Sequence, residues 1–189
     1  GPPAMAFEYV LMGQRPSMGG IWQTRQLEDG SIVQSGDELQ IWFRPDQDCY
    51  AYVINRDASG AVYVLFPHEQ AVSNRLEAGR DYLLPSPDTA YRFDDVTGSE
   101  IFYLAVSPAP MPDLSWMIAG MKQADGERRM GMMAMLGGTL QARGVRGAGT
   151  VVPGRRQRFE TASGGATEQV TRMFEGSGAR VQVIRLRHR

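Results

Sequence analysis

His68 and His188 are the two histidines of this 189-residue chain and Cys49 is its single cysteine, so nucleophilic or metal chemistry has few places to start. A reactive thiolate needs a basic partner. Cys49 instead falls in the run Cys49-Tyr50-Ala51-Tyr52-Val53-Ile54, where strand alternation sets it among apolar and aromatic neighbours, as a small buried hydrophobe. A zinc helix of the H-E-x-x-H kind needs a second histidine after His68-Glu69, and Gln70-Ala71-Val72 does not lead to one. The phosphate loop G-x-x-x-x-G-K-[ST], the paired C-x-x-C and the nucleophile elbow G-x-S-x-G are all missing. Gly144-Val145-Arg146-Gly147-Ala148-Gly149 has the composition of a nucleotide-binding glycine run but no strand before it, and reads as a hinge or loop.

Acidic groupings are the remaining chemical candidates. Asp46 with Asp48, and Asp94 with Asp95 and Glu100, have the donors of a calcium site or of a carboxylate pair. Both lie in turn sequences, where aspartate is favoured for bonding its own backbone. Asp37, in Ser35-Gly36-Asp37, reads as the residue that fixes the start of a strand. The expectation is a protein that is not an enzyme, with no catalytic residue, no cofactor and no metal.

Interaction chemistry is better represented. Met130, Met133 and Leu136, with Leu140, recur at helical spacing, and such a methionine stripe serves as adaptable core packing or as a binding groove. Arg155, Arg156 and Arg158 form the densest basic cluster. They belong to a charge division: residues 1–142 carry a net charge of −8, residues 143–189 one of +7. The basic stretch either lies on the acidic body or offers a face to an anionic partner, and the scarcity of interleaved aromatics favours the first. Trp42 lies between Ile41 and Phe43, on the side of its strand opposite the apolar stripe, and is the aromatic best placed to face outward.

The elements that must position these residues are mostly strands. Hydrophobic residues make up 42% of the chain, enough for a continuous core, and no apolar run approaches the roughly 20 residues that span a bilayer. Strands are expected at 20–25, 38–44, 50–55, 61–66, 82–84, 91–93 and 101–106, with a hairpin joining 50–55 to 61–66. After Pro108 the pattern turns helical. Asp113 is a candidate N-cap for one helix and Asp125 for another. Residues 144–166 read as a flexible loop with a short strand near Phe159, residues 167–174 as a short helix, and residues 180–187 as a last strand. Gly1-Pro2-Pro3-Ala4-Met5 resembles a cloning scar and is set aside, leaving residues 6–189 as one domain. The fold class expected is mainly β, an antiparallel β-sandwich, immunoglobulin-like or similar, with a helical, methionine-rich insertion at about 111–178 before the final strand.

The strand core resembles a known bacterial family, the domain of unknown function 4384. The resemblance is carried by Ser35-Gly36-Asp37-Glu38-Leu39-Gln40-Ile41, by 49–55, by Gly60-Ala61-Val62-Tyr63-Val64-Leu65-Phe66-Pro67, by Asn74-Arg75 and by Gly98-Ser99-Glu100, and it covers about residues 30–110. It implies an accessory module of exported or lipid-anchored bacterial proteins, found beside caspase-like peptidase or kinase domains, and it supplies no catalytic residues. The function expected is therefore a non-catalytic protein-interaction or scaffold module of a cell-envelope or secretion-related protein, periplasmic or envelope-associated, with the cytoplasm as the other compartment. Its partner would be another protein, with no specific nucleic acid, and a homo-oligomer is an open alternative. The competing expectation is a small-ligand-sensing regulatory domain acting with an effector such as a caspase-like peptidase.

Overall fold

The computed structural model describes residues 4–68, 73–146 and 151–189. In chain order the elements are β1 (Met5–Pro16), β2 (Trp22–Leu27), β3 (Ile32–Val33), β4 (Glu38–Pro45), β5 (Cys49–Arg56), β6 (Val62–Phe66), β7 (Arg75–Leu76), β8 (Tyr82–Leu84), β9 (Tyr91–Arg92), β10 (Gly98–Ser107), α1 (Pro112–Gln123), α2 (Gly126–Arg146), β11 (Val152–Glu160), β12 (Ala166–Gly176) and β13 (Arg180–His188). The first sheet runs β11-β12-β1-β4-β8, with β2 also paired to β1 and β9 to β4. The second runs β3-β13-β10-β5-β6, with β7 also paired to β5. The two sheets make a mainly β sandwich, as the turn-punctuated sequence predicts.

Period-two alternation assigns the faces. Phe7, Tyr9 and Leu11 of β1, Leu39, Ile41 and Phe43 of β4, and Phe102, Leu104 and Val106 of β10 point into the space between the sheets and form the main core. Stacked rings knit its middle: the centroids of Phe7 and Phe174 lie 5.2 Å apart and those of Phe43 and Tyr82 5.3 Å apart. Each such side chain withdrawn from water contributes roughly 1.5–3 kcal/mol. The alternate residues of the second sheet, Tyr52, Ile54, Ile101, Tyr103 and Ala105, point outward and are covered by Leu114, Ile118, Met121, Leu136 and Leu140 of the helices. β10 is thus covered on both faces, which explains its nearly continuous apolar run. No helix among the described residues is long and apolar enough to cross a membrane.

Several local expectations change. β1 lies before the first expected strand and was not expected; its central residues 9–12 are buried on both faces. Met5, set aside with the start of the chain, is buried and pairs with Gly176. Residues 167–174 form part of β12 instead of a helix: Thr167, Val170 and Thr171 are β-branched, and β1 offers an edge on which Phe174 can reach Phe7. Residues 152–160, expected as loop with a short strand near Phe159, form the longer strand β11 on the rim of the first sheet. The segment between the helices and β13 therefore adds a hairpin to the sandwich. Asp113 is in the first turn of α1, not at its cap, which is Met111 followed by a proline. Gly144 to Arg146 close α2, whereas residues 147–149 of the glycine run, and residues 69–72 after His68, lie outside the described residues.

Candidate functional site

The interior stripes of β10 and β13 each end in a polar residue. Below Phe102 the stripe of β10 continues to Glu100, and below Ile184 and Leu186 that of β13 continues to His188. The register puts Glu100 opposite Leu186 and His188 opposite Gly98, so both side chains enter the same end of the sandwich. They are almost fully enclosed, with 4% and 0% of their side chains exposed. His188 Nδ1 lies 3.1 Å from Glu100 Oε1, and its Nε2 lies 2.9 Å from Ser35 Oγ. The Phe93 ring packs edge-on against the imidazole at 5.6 Å between centroids. Burial pushes the Glu100 carboxyl above its usual value, outweighing the bonds from His188 and the Ala58 N–H that favour its ionised form.

Ser35 is held by the turn that starts β4. Gly36 adopts φ +88°, a conformation that favours glycine. Asp37 accepts the Gln34 N–H at 2.8 Å and a two-pronged contact from Arg15, Nε at 2.9 Å and Nη2 at 2.8 Å. Burial alone would raise the Asp37 carboxyl, but these bonds hold it below its usual value. The turn is tied to the next element by Gly36 N–H donating to Phe93 O and Phe93 N–H donating to Asp37 O. Asp37 thus fixes a strand start, as its place in Ser-Gly-Asp predicts. Ser35, His188 and Glu100 share the wiring of an acyl-transfer triad. The neighbouring N–H groups that would steady an oxyanion are committed, however: Gly36 N–H to Phe93 O and Asp37 N–H to Gln34 O.

Beside this pair stands Asp94, exposed, with Oδ1 accepting the Val96 N–H at 2.9 Å. One ligating atom each from Asp94, Glu100 and His188 lie within 4.8 Å of one another. Asp94 and Glu100 also line a cavity of about 410 Å³ between the sheets, walled by Leu39, Leu65, Phe93 and Phe102. The Tyr91 hydroxyl, in the same cavity lining, is buried with no hydrogen-bond partner among the described residues, and burial pushes its phenol up. The acidic grouping named from sequence is therefore brought together in part: Asp94 and Glu100 meet, Asp95 is not in the cluster, and the third member is His188. The signal that could have found it is a titratable residue occupying an interior position of an apolar stripe.

The interaction residues expected from sequence fall in three places. Met130 is 69% exposed and borders, with Met133, Gly137 and Gly138 of α2 and Val62 of β6, a groove of about 480 Å³. Leu136 has no exposure and lies in the helix–sheet core, so it offers no surface to a partner. Trp42 likewise faces away from the main core as expected, yet it is 3% exposed, because the β11–β12 hairpin sets Phe159 edge-on against it at 5.1 Å. It is no outward platform. Arg155, Arg156 and Arg158 are exposed on β11, where Arg155 meets Glu8 at 3.4 Å and Arg156 meets Glu168 at 3.4 Å. With Arg143 on Asp113 and Arg172 on Glu28, part of the basic stretch lies on the acidic body. Charges and Pro153 on a rim strand also oppose pairing with another chain. Among the remaining residues, Cys49 is buried and its thiol is pushed up to about 12 by burial and by Asp46 and Asp48. Asp46 and Asp48 bond the Ala6 and Ala78 N–H groups, at 2.8 Å each.

Residues 32–110 match the family model described as a domain of unknown function (DUF4384), in agreement with the resemblance read from the strand core. The match takes in Ser35, Asp94, Glu100 and the residues that line the cavity; His188 and both helices lie beyond it. No curated protein and no solved structure matches the chain.

Proposed function

We propose that the chain is a small-ligand-binding module whose cavity between the sheets receives an apolar body carrying an electropositive group. The make-up of that cavity carries the reading. Its apolar walls meet three carboxylates, Asp57, Asp94 and Glu100, against the single guanidinium of Arg92 among the described lining residues. A few polar groups converging on an apolar concavity of this size is the usual form of a ligand site, which spans roughly 300–1,000 Å³. Such a module fits a regulatory domain acting with an effector, for example a caspase-like peptidase of the bacterial cell envelope, the setting that the family resemblance implies. The test is thermal denaturation in EDTA with phenylalkylamines and with the matched phenylalkylcarboxylates. The amines should raise the melting temperature, the carboxylates should not, and Leu65→Trp, which fills the cavity, should remove the effect. Equal shifts from both series, or shifts that survive Leu65→Trp, refute the reading.

A protein-interaction role is the second reading, supported by the exposure of Met130 over the groove beside α2 and of Trp116 on α1. It expects capture of a protein partner by the intact chain to be lost in Met130→Glu and kept in Leu65→Trp.

A further inference from the structure

We propose that Asp94, Glu100 and His188 form a binding site for one divalent transition-metal ion, with Zn²⁺ the best fit. The inference deepens the ligand-binding reading and rests on it only for the cavity, from which a ligand would complete the coordination.

The donor set comes first. One imidazole nitrogen and two carboxylate oxygens suit zinc and its first-row neighbours better than calcium, which takes six to eight oxygens. Geometry comes second. Two metal bonds of about 2.1 Å at angles between a right angle and the tetrahedral angle separate their donor atoms by about 3.0–3.4 Å. His188 Nδ1 and Glu100 Oε1 already stand 3.1 Å apart. An ion could therefore replace the proton between them, which leaves to solvent, with the two strands staying in place. Asp94 is the exposed member, and its side chain can close the remaining distance within the 4.8 Å cluster. Each ligand also has an outer partner that orients it: Ser35 Oγ at 2.9 Å on His188 Nε2, the Val96 N–H at 2.9 Å on Asp94, and the Ala58 N–H on Glu100. The Ser35 bond fixes Nδ1 as the nitrogen presented to the ion.

Burial bears on the same pair, since Glu100 and His188 satisfy each other at 3.1 Å and an ion would take over that pairing. Glu100 and His188 occupy interior positions that elsewhere on these strands hold Phe102, Leu104, Ile184 and Leu186. Buried ionisable groups in place of hydrophobes are expensive unless paired or bound to a metal. Here they face the cavity through Glu100, with Asp57 adding negative charge nearby and Asp94 at the edge. Three ligands with an open side make the arrangement of a site that keeps a position for a further molecule.

The experiment uses the full chain stripped with EDTA and dialysed. Zn²⁺ is titrated by calorimetry, and Co²⁺ by its visible absorption, which reports nitrogen and oxygen ligation. One equivalent should bind, with a rise in melting temperature. Asp94→Asn, a change at the exposed member that keeps the Oδ1 acceptor, should weaken binding at least ~10-fold. Asp95→Asn and His68→Ala should bind as the parent does, and Glu100→Gln should bind far more weakly. No uptake by the parent, equal affinity in Asp94→Asn, or an equal loss in Asp95→Asn overturns the site. Because the amine series is run in EDTA, the two readings separate. Amine binding without metal uptake sinks this inference alone, and metal uptake without amine binding sinks only the organic ligand.

Discussion

Leu136 and Met130 come from one methionine-rich stripe, and the structure gives them opposite roles that a single pair of variants can separate. Leu136 is fully buried among Leu114, Ile118, Leu140 and the outward face of the second sheet, whereas Met130 is 69% exposed. Leu136→Ala removes buried methyl groups from beneath a helix packed on α1, β13 and β10. The cavity then closes only in part, and losses of about 2.7–5 kcal/mol are typical of such sites. A value near 3 kcal/mol corresponds to a fall of about 6–12 °C in melting temperature for a chain of this size. Met130→Ala removes little buried surface and should stay within about 0.5 kcal/mol of the parent. Urea denaturation followed by circular dichroism measures both: the midpoint for Leu136→Ala should drop with the slope unchanged. If Leu136→Ala lost less than about 1 kcal/mol, or Met130→Ala lost as much as Leu136→Ala, the placement of α2 on the sheet would be wrong.

Glu100→Gln in metal-free protein should be more stable than the parent at neutral pH. The folded carboxyl is raised by burial, so its ionisation destabilises the fold, an effect absent below the ordinary carboxyl range and growing as pH rises through the folded value. The gap between the two proteins should therefore shrink in acid, which urea midpoints at several pH values would read; a gap favouring the parent at neutral pH would show that the pair with His188 is net stabilising. Arg15→Met leaves the Asp37 carboxylate, 6% exposed, without its guanidinium and should lose about 1–3 kcal/mol at neutral pH. Since the folded Asp37 value is lowered, the stability it contributes is present above the ordinary aspartate value and lost as pH falls through the folded one, so this gap too should close in acid.

Local alternation carried much of the fold. Leu39, Ile41 and Phe43 at period two, the 50–66 hairpin with Gly60 at its turn, and the apolar run of β10 are patterns of residues close together in the chain, and the residues alone display them. What failed depended on pairing across distance. Residues 167–174 could satisfy their backbone as a helix or as a strand; the free edge of β1, more than 150 residues earlier in the chain, made the choice. Trp42 looked outward because its strand alternates, and it is buried because a hairpin from the far end of the chain crosses over it. The candidate site divides in the same way. Asp94 and Glu100 were visible as acids near a turn, a common and uninformative setting. His188 joins them only because β13 returns beside β10 in a register that brings its end level with Glu100. Sequence sets which side chains face inward, since a strand turns its residues alternately to either side. Which of those inward residues meet is decided by sheet order and register, and these are fixed by the whole core at once.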